Sequence, residues 1–198
     1  MVRHGLTNEK EILELLYHLA SNMSRLASYN NLAKIIGVSN ATTIKNYLEY
    51  LQNTYLLFVV NKFDFSVKKQ IQNPKKIYFI DLALVRELGF YTSEDNGRLL
   101  ENLVFLELKR NAKEVYYHKQ KHECDFLIKE KNKIINAIQV CWSFSDPKTR
   151  EREINGLMDA MDTYQLDKGL ILTESEEEDF IKENHSIEVK PVWRWLIE

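Results

Sequence analysis

The chain has 198 residues, 44% of them hydrophobic and 28% charged, with a net charge of −2. These are the proportions of ordinary globular protein, at a length that suits two domains of about 80 and 120 residues. Only three prolines and six glycines are present, and there is no internal repeat, which excludes a low-complexity or linker-rich chain. Two cysteines, Cys124 and Cys141, exclude a disulfide framework, and no apolar run approaches the ~20 residues of a membrane span.

The opening Met1-Val2-Arg3-His4-Gly5 has no signal-peptide core. The expectation is a cytoplasmic protein with free thiols and no membrane partner. Charge is uneven along the chain. Residues 1–75 carry nine Lys/Arg against five Asp/Glu, and residues 76–198 carry eighteen against twenty-four. The first part, at +4, is the better candidate for contact with a polyanion.

In chain order, Ile12, Leu13, Leu15, Leu16 and Leu19 recur at helical spacing over residues 9–20, with Asn8 in position to cap. A short helix follows over residues 28–37, closed by Gly37, which can turn left-handed. A second helix opens at Ser39 or Asn40 and runs to Leu51. Two helices joined by a short Gly-containing turn make a helix-turn-helix. Strands are expected over residues 55–60 and 77–80. The polar stretch between them, with Lys62, Lys68 and Lys69, reads as a wing. Asp81 caps a short helix, Leu82–Leu88. Residues 92–97 are loop-like and mark a boundary between a first domain, 1–91, and a second, 92–198.

The second domain begins with a helix over residues 98–111. Strands follow at 115–119, 123–129 and 134–141, a helix at 147–163, a strand at 169–173, a helix at 176–183 and a strand at 186–190. Hairpins followed by a βαβ unit imply a mixed sheet flanked by helices. The chain as a whole is thus α+β or α/β in class. The closing Pro191–Ile197 segment, with Trp193 and Trp195, suits a sheet edge or a subunit contact.

Three residues share a chemistry. Glu101 lies on the first helix of this domain, Asp125 in its second strand and Gln139 near the end of its third. Metal-dependent phosphodiester cleavage needs hard oxygen ligands and a nearby cation. Alternation along a strand puts Gln139, Cys141 and Ser143 on one face; if Asp125 shares it, Cys124 points to the other.

The segments Tyr47–Leu57, Lys76–Asp81, Glu101–Leu108 and Glu123–Phe126, in this order and spacing, resemble the C-terminal region behind the ATPase module of a group of bacterial and archaeal AAA+-type ATPases. The resemblance implies a winged helix followed by a domain similar to the PD-(D/E)xK nuclease superfamily. It starts at Val2-Arg3-His4, as if part-way through a longer protein, and no phosphate-binding Gly-x-x-x-x-Gly-Lys-Ser/Thr loop occurs. The superfamily's (D/E)-x-K motif falls on Gln139-Val140-Cys141. Gln139 can still offer a carbonyl to a metal beside Asp125, but Cys141, in the lysine's place, is neither a cation nor a hard ligand.

Three functions remain open. One is a non-enzymatic module that binds DNA or a partner, accompanies an ATPase in cis or in trans, and needs no cofactor. The second is a Mg²⁺-dependent nuclease with Asp125 and Gln139 as metal ligands and a relocated lysine, Lys119 or Lys121. The third is a free-standing winged-helix regulator. The DNA contacts expected are Asn40, Thr42, Thr43, Lys45 and Asn46 on the second helix of the helix-turn-helix, with Lys68 and Lys69 on the wing. His118, His122, Cys124 and Cys141 have the ligand types of zinc. With the cysteines on opposite sheet faces, they read instead as two buried thiols and two turn histidines.

Overall fold

Helix α1 (Glu9–Ser21) buries Ile12, Leu15, Leu16 and Leu19, as the spacing requires. A computed structural model describes residues 8–90, 95–111 and 113–198. The chain divides into two units, Met1–Val59 with Asn73–Thr92, and Val60–Gln72 with Ser93–Glu198. Among the described residues no helix is long and apolar enough to cross a membrane.

In the first unit, α1 is followed by a two-residue strand β1 (Leu26–Ala27), then α2 (Tyr29–Ile36) and α3 (Ala41–Asn53). Ser28 accepts a bond from the Asn31 N–H and so caps α2. Gly37 ends that helix at φ 78°, with its N–H on the Ala33 carbonyl. A side chain is disfavoured in that left-handed conformation, which is why glycine stands at the turn. Asn40 caps α3 through the Thr43 N–H at 3.0 Å. Asn8 stands at the N-cap position of α1 but makes no cap bond. Its side chain donates instead to Glu11 and to the Tyr47 hydroxyl. Strands β2 (Leu57–Asn61) and β3 (Lys75–Phe79) complete a sheet of order β1-β3-β2. Helix α5 (Leu82–Leu88) is capped by Asp81, which accepts from the Ala83 and Leu84 N–H groups.

The expected wing is not a free hairpin. Residues 60–72, between β2 and β3, belong to the second unit and contain a short helix, α4 (Val67–Gln72). The Phe63 N–H bonds to the Tyr117 carbonyl at 2.9 Å, and its ring is buried in the second unit's core. The first unit therefore differs from the continuous 1–91 domain by this segment. The buried apolar ring explains why: Phe63 has nowhere to go on a solvated wing. The expected boundary loop, 92–97, lies partly outside the described residues.

The second unit is built on a six-stranded mixed sheet of order β4-β5-β6-β7-β9-β8. Its elements are α6 (Asn96–Arg110), β4 (Glu114–Lys119), β5 (Glu123–Glu130), β6 (Lys133–Val140), α7 (Pro147–Tyr164), β7 (Lys168–Thr173), β8 (Glu178–Lys182), β9 (His185–Pro191) and α8 (Val192–Trp195). The β6–β7 and β7–β9 pairings are parallel and the rest antiparallel. Phe105 of α6 stacks on Phe126 of β5. Leu127, Ala137 and Cys141 instead join Leu157 and Met161 of α7 in one apolar cluster. The two helices therefore cover opposite faces of the sheet.

One expected helix is a strand. Residues 176–183 read as helical from their acidic run, but β8 pairs with β9. Glu183 and Asn184 both adopt positive φ, 49° and 69°, which makes the two-residue turn preferred between twisted strands. Phe180 stacks on Phe144, and Glu178 receives both arms of Arg150 at 2.7 and 2.9 Å. These tertiary contacts override the local preference.

The β4–β5 register places a bulge at the candidate site. Tyr116 pairs with Leu127 and His118 with Cys124, so Asp125 and Phe126 together oppose Tyr117. Such a bulge interrupts alternation and re-aims side chains. It corrects the expectation for the cysteines: Cys124 and Cys141 are buried in the same cluster, on the α7 side.

Candidate functional site

The Asp125 carboxylate accepts the Val140 N–H through Oδ2 at 3.0 Å. The Asp125 N–H in turn donates to Gln139 Oε1 at 3.0 Å. Gln139 Nε2 donates to Glu153 Oε2 on α7, and Arg152 donates to Glu153 Oε1. Asp125, Gln139 and Glu153 are all buried. Helix α7 comes close enough for this because it carries Gly156 there. A Cβ at that position would lie 2.0 Å from the Glu123 carbonyl oxygen and 3.5 Å from Gln139 Nε2.

Glu153 was not among the residues singled out from the sequence. Its carboxyl is pushed above the usual range, first by burial and then by the neighbouring Asp125 charge; the bonds from Gln139 and Arg152 work the other way. The only sequence signal was a Glu on the apolar side of α7, one turn before Leu157. The Cys141 thiol is pushed far up, first by burial and then by the charges of Glu153, Glu176 and Asp125. It therefore stays protonated and offers no thiolate.

These residues do not fit a Mg²⁺ centre. Such an ion takes carboxylate and carbonyl oxygens in near-octahedral array. The Gln139 carbonyl is taken up by the Asp125 backbone, so it is turned away from the role expected of it. Glu101 is buried on α6, one turn from Phe105. Among the described residues no three His, Cys, Asp or Glu side chains converge as metal ligands, and that includes His118, His122, Cys124 and Cys141. Neither relocated-lysine candidate is placed at this cluster by any contact. Lys119 pairs with Glu123 at 3.7 Å, and Lys121 is exposed in the turn after β4.

The residues expected to contact DNA fall in both units. Thr42, Lys45, Asn46 and Glu49 form one exposed stripe of α3. Asn40 and Thr43 are bound to each other, the Thr43 N–H and hydroxyl both donating to the Asn40 carbonyl oxygen. Lys68 and Lys69 lie on α4 in the second unit, and Lys69 faces Asp64 at 4.0 Å. With residues 60–72 assigned to the second unit, the first carries eight Lys/Arg against six Asp/Glu, a surplus of two.

The family model described as domain of unknown function DUF4143 matches residues 96–195, half of the chain. The chain belongs to the DUF4143 family. A further model, domain of unknown function DUF8612, matches residues 3–95. The chain is 36% identical over 98% of its length to the uncharacterized protein MJ1544 of Methanocaldococcus jannaschii, of which the match covers 46%. It is 24% identical over 99% of its length to an uncharacterized protein of Haemophilus influenzae, of which 48% is covered. It thus spans about half the length of these curated relatives.

The DUF4143 region also contains a buried polar cluster. His118 is fully buried on β4, with Nδ1 3.1 Å from the Tyr164 hydroxyl and Nε2 3.2 Å from Asp159. A neutral ring protonated at Nε2 satisfies both, donating to Asp159 and accepting from Tyr164. Burial lowers the His118 pKa, and the Asp159 contact opposes that only in part. The folded state therefore binds its proton less readily than the unfolded chain, whose histidines titrate near 6.5. The resulting stability is present above pH ~6.5 and is lost as pH falls through the lower, folded value. Urea midpoints at pH 7.5 and 5.5 should fall more steeply for the wild type than for His118→Gln. Equal slopes would show that His118 is not held neutral.

Proposed function

We propose that the chain is a non-catalytic recognition module. In this reading a winged-helix-type unit makes the contact, with DNA or a protein partner. A degenerate PD-(D/E)xK-like unit is its scaffold, and the module serves an AAA-type ATPase in cis or in trans. The order α6-β4-β5-β6-α7-β7, with Asp125 at a bulge and Gln139 beside it, supports the nuclease-like ancestry. The common occurrence of DUF4143 domains with AAA ATPases supports the partnership.

The observation that carries the non-catalytic reading is the Gln139 amide. Its oxygen is held by the Asp125 backbone and its nitrogen by Glu153, so the position of a catalytic carboxylate is filled by an internal strut. A plasmid-nicking assay with Mg²⁺ and Mn²⁺ tests this. No metal-dependent nicking is expected, and none should be gained in Asp125→Ala. Metal-dependent nicking by the wild type that disappears in Asp125→Ala would instead establish the nuclease reading.

A further inference from the structure

The two edges of the six-stranded sheet differ. At β4 the Phe63 N–H bonds to the Tyr117 carbonyl, and Lys62 bridges to Tyr117. The other outer strand, β8, pairs with β9 alone. Lys182 and His185 flank the two-residue turn and are direct partners, so they exchange backbone bonds, and alternation gives Phe180 and Glu178 the same role. Asp179 and Ile181 therefore aim their N–H and C=O groups away from β9. Among the described residues these groups bond to nothing else. Edge strands usually carry charge that discourages further pairing. Ile181, near the middle of this edge, is instead 79% exposed.

The strand reads Glu178-Asp179-Phe180-Ile181-Lys182, acidic at its start and basic at its end. Laid antiparallel to itself about Phe180, it sets Glu178 opposite the Lys182 of a second copy and Asp179 opposite its Ile181. The Asp179–Ile181 pairs contain the outward backbone groups, so each pair can exchange both bonds. A slip by one residue sets outward groups against inward ones and forms none. A slip by two sets Asp179 against itself or against Glu183, which are like charges directly opposed. Backbone and charge thus select the same register. In it Phe180, which stacks on Phe144, meets its own counterpart on one face. On the other face the two Ile181 side chains lie diagonally, within reach of each other. Among the described residues Lys182 forms no ion pair within the chain, so it is available to a second copy's Glu178.

We propose that β8 pairs antiparallel with β8 of a second copy of this chain, about a two-fold axis at Phe180, and so joins the two large sheets into one. The contact is self-complementary, as a two-fold interface requires. One short strand from each side is a small interface, so the dimer is weak and forms with rising concentration. A strand from another protein would need a basic residue opposite Glu178 and an acidic one opposite Lys182; a second copy supplies both. The inference does not depend on the recognition-module reading.

Sedimentation equilibrium of the full chain over a wide concentration range tests this. The wild type should pass from one to two copies as concentration rises. Lys182→Glu opposes like charges at both ends of the strand pair and should weaken the dimer by roughly 5- to 30-fold. Ile181→Pro removes an outward N–H without touching the ladder to β9, and should abolish the dimer. Glu178→Lys should also weaken it, and an equal mixture of Glu178→Lys with Lys182→Glu should restore it, because every cross-strand pair is then of opposite charge. Circular dichroism and urea midpoints show that each variant is folded; if Glu178→Lys is not, Ile181→Pro and Lys182→Glu decide alone. A wild type that stays monomeric throughout would leave the edge to some other strand and overturn the inference. A dimer that survives Ile181→Pro and Lys182→Glu would overturn it too, by locating the contact elsewhere. Folded charge variants whose mixture does not re-form the dimer would overturn the register.

Discussion

Gly156→Ala is expected to destabilise the second unit by roughly 3 kcal/mol or more, beyond the usual cost of overpacking. The sign is informative. On an exposed helix surface the same change stabilises by about 0.5–1 kcal/mol, because alanine is the better helix former. Here the new Cβ would lie 2.0 Å from the Glu123 carbonyl oxygen and 3.1 Å from its carbon. Both are backbone atoms of β5, so no side chain can rotate away; helix and strand must separate. That separation also pulls Glu153 from Gln139 and opens the cluster that buries Cys124 and Cys141. Urea denaturation reads the stability, and labelling by a thiol reagent reads the opening. Both thiols should be inert in the wild type and react in Gly156→Ala. An unchanged midpoint with unreactive thiols would mean that α7 does not pack as closely on β5 as described.

Most of the elements could be read from local pattern, and the exceptions share a cause. The helices α2 and α3 carry their own signals, from the Ser28 and Asn40 caps to Gly37, and the alternation of residues 123–141 yields β5 and β6. Residues 60–72 lack any local sign of their destination. Lys62, Lys68 and Lys69 are what a wing would carry, whereas the buried ring of Phe63 and the backbone contacts of Lys62 and Phe63 with Tyr117 tie the segment to the second unit. The acidic run before β8 has a helix-like composition, yet its fate is set by Arg150, Phe144 and β9, all distant in sequence. At the candidate site, the neighbourhood of Asp125 and Gln139 was expected from the sequence, and the structure joins the two by a hydrogen bond. Glu153 was not, because its role depends on how near α7 approaches the sheet. The bulge at Asp125 was hidden for the same reason: register is a property of two strands, not of one.

Phe63→Ala carries the second large expected effect, about 3–5 kcal/mol. The ring is 6% exposed and meets Tyr116 and Tyr164 edge-on, with centroids 5.4 Å away in both cases. The backbone of the same residue donates to Tyr117 at 2.9 Å, and Lys62 forms a parallel bridge to Tyr117. The segment thereby covers β4, the outer strand of the sheet, which would otherwise present unpaired backbone groups. Phe65, two residues on, is 86% exposed, so Phe65→Ala should shift stability by no more than about 0.5 kcal/mol. A wing reading assigns both rings to solvent and expects two small effects. The comparison therefore separates the two placements of the segment. Hydrogen exchange locates the damage: Phe63→Ala should speed exchange along β4 and β5, whereas Phe65→Ala should leave it unchanged. Equal, small effects of both substitutions would return residues 60–72 to the surface. The same logic predicts that residues 93–198 alone, which keep every strand of the large sheet but lack Phe63, are less stable than the second unit within the whole chain.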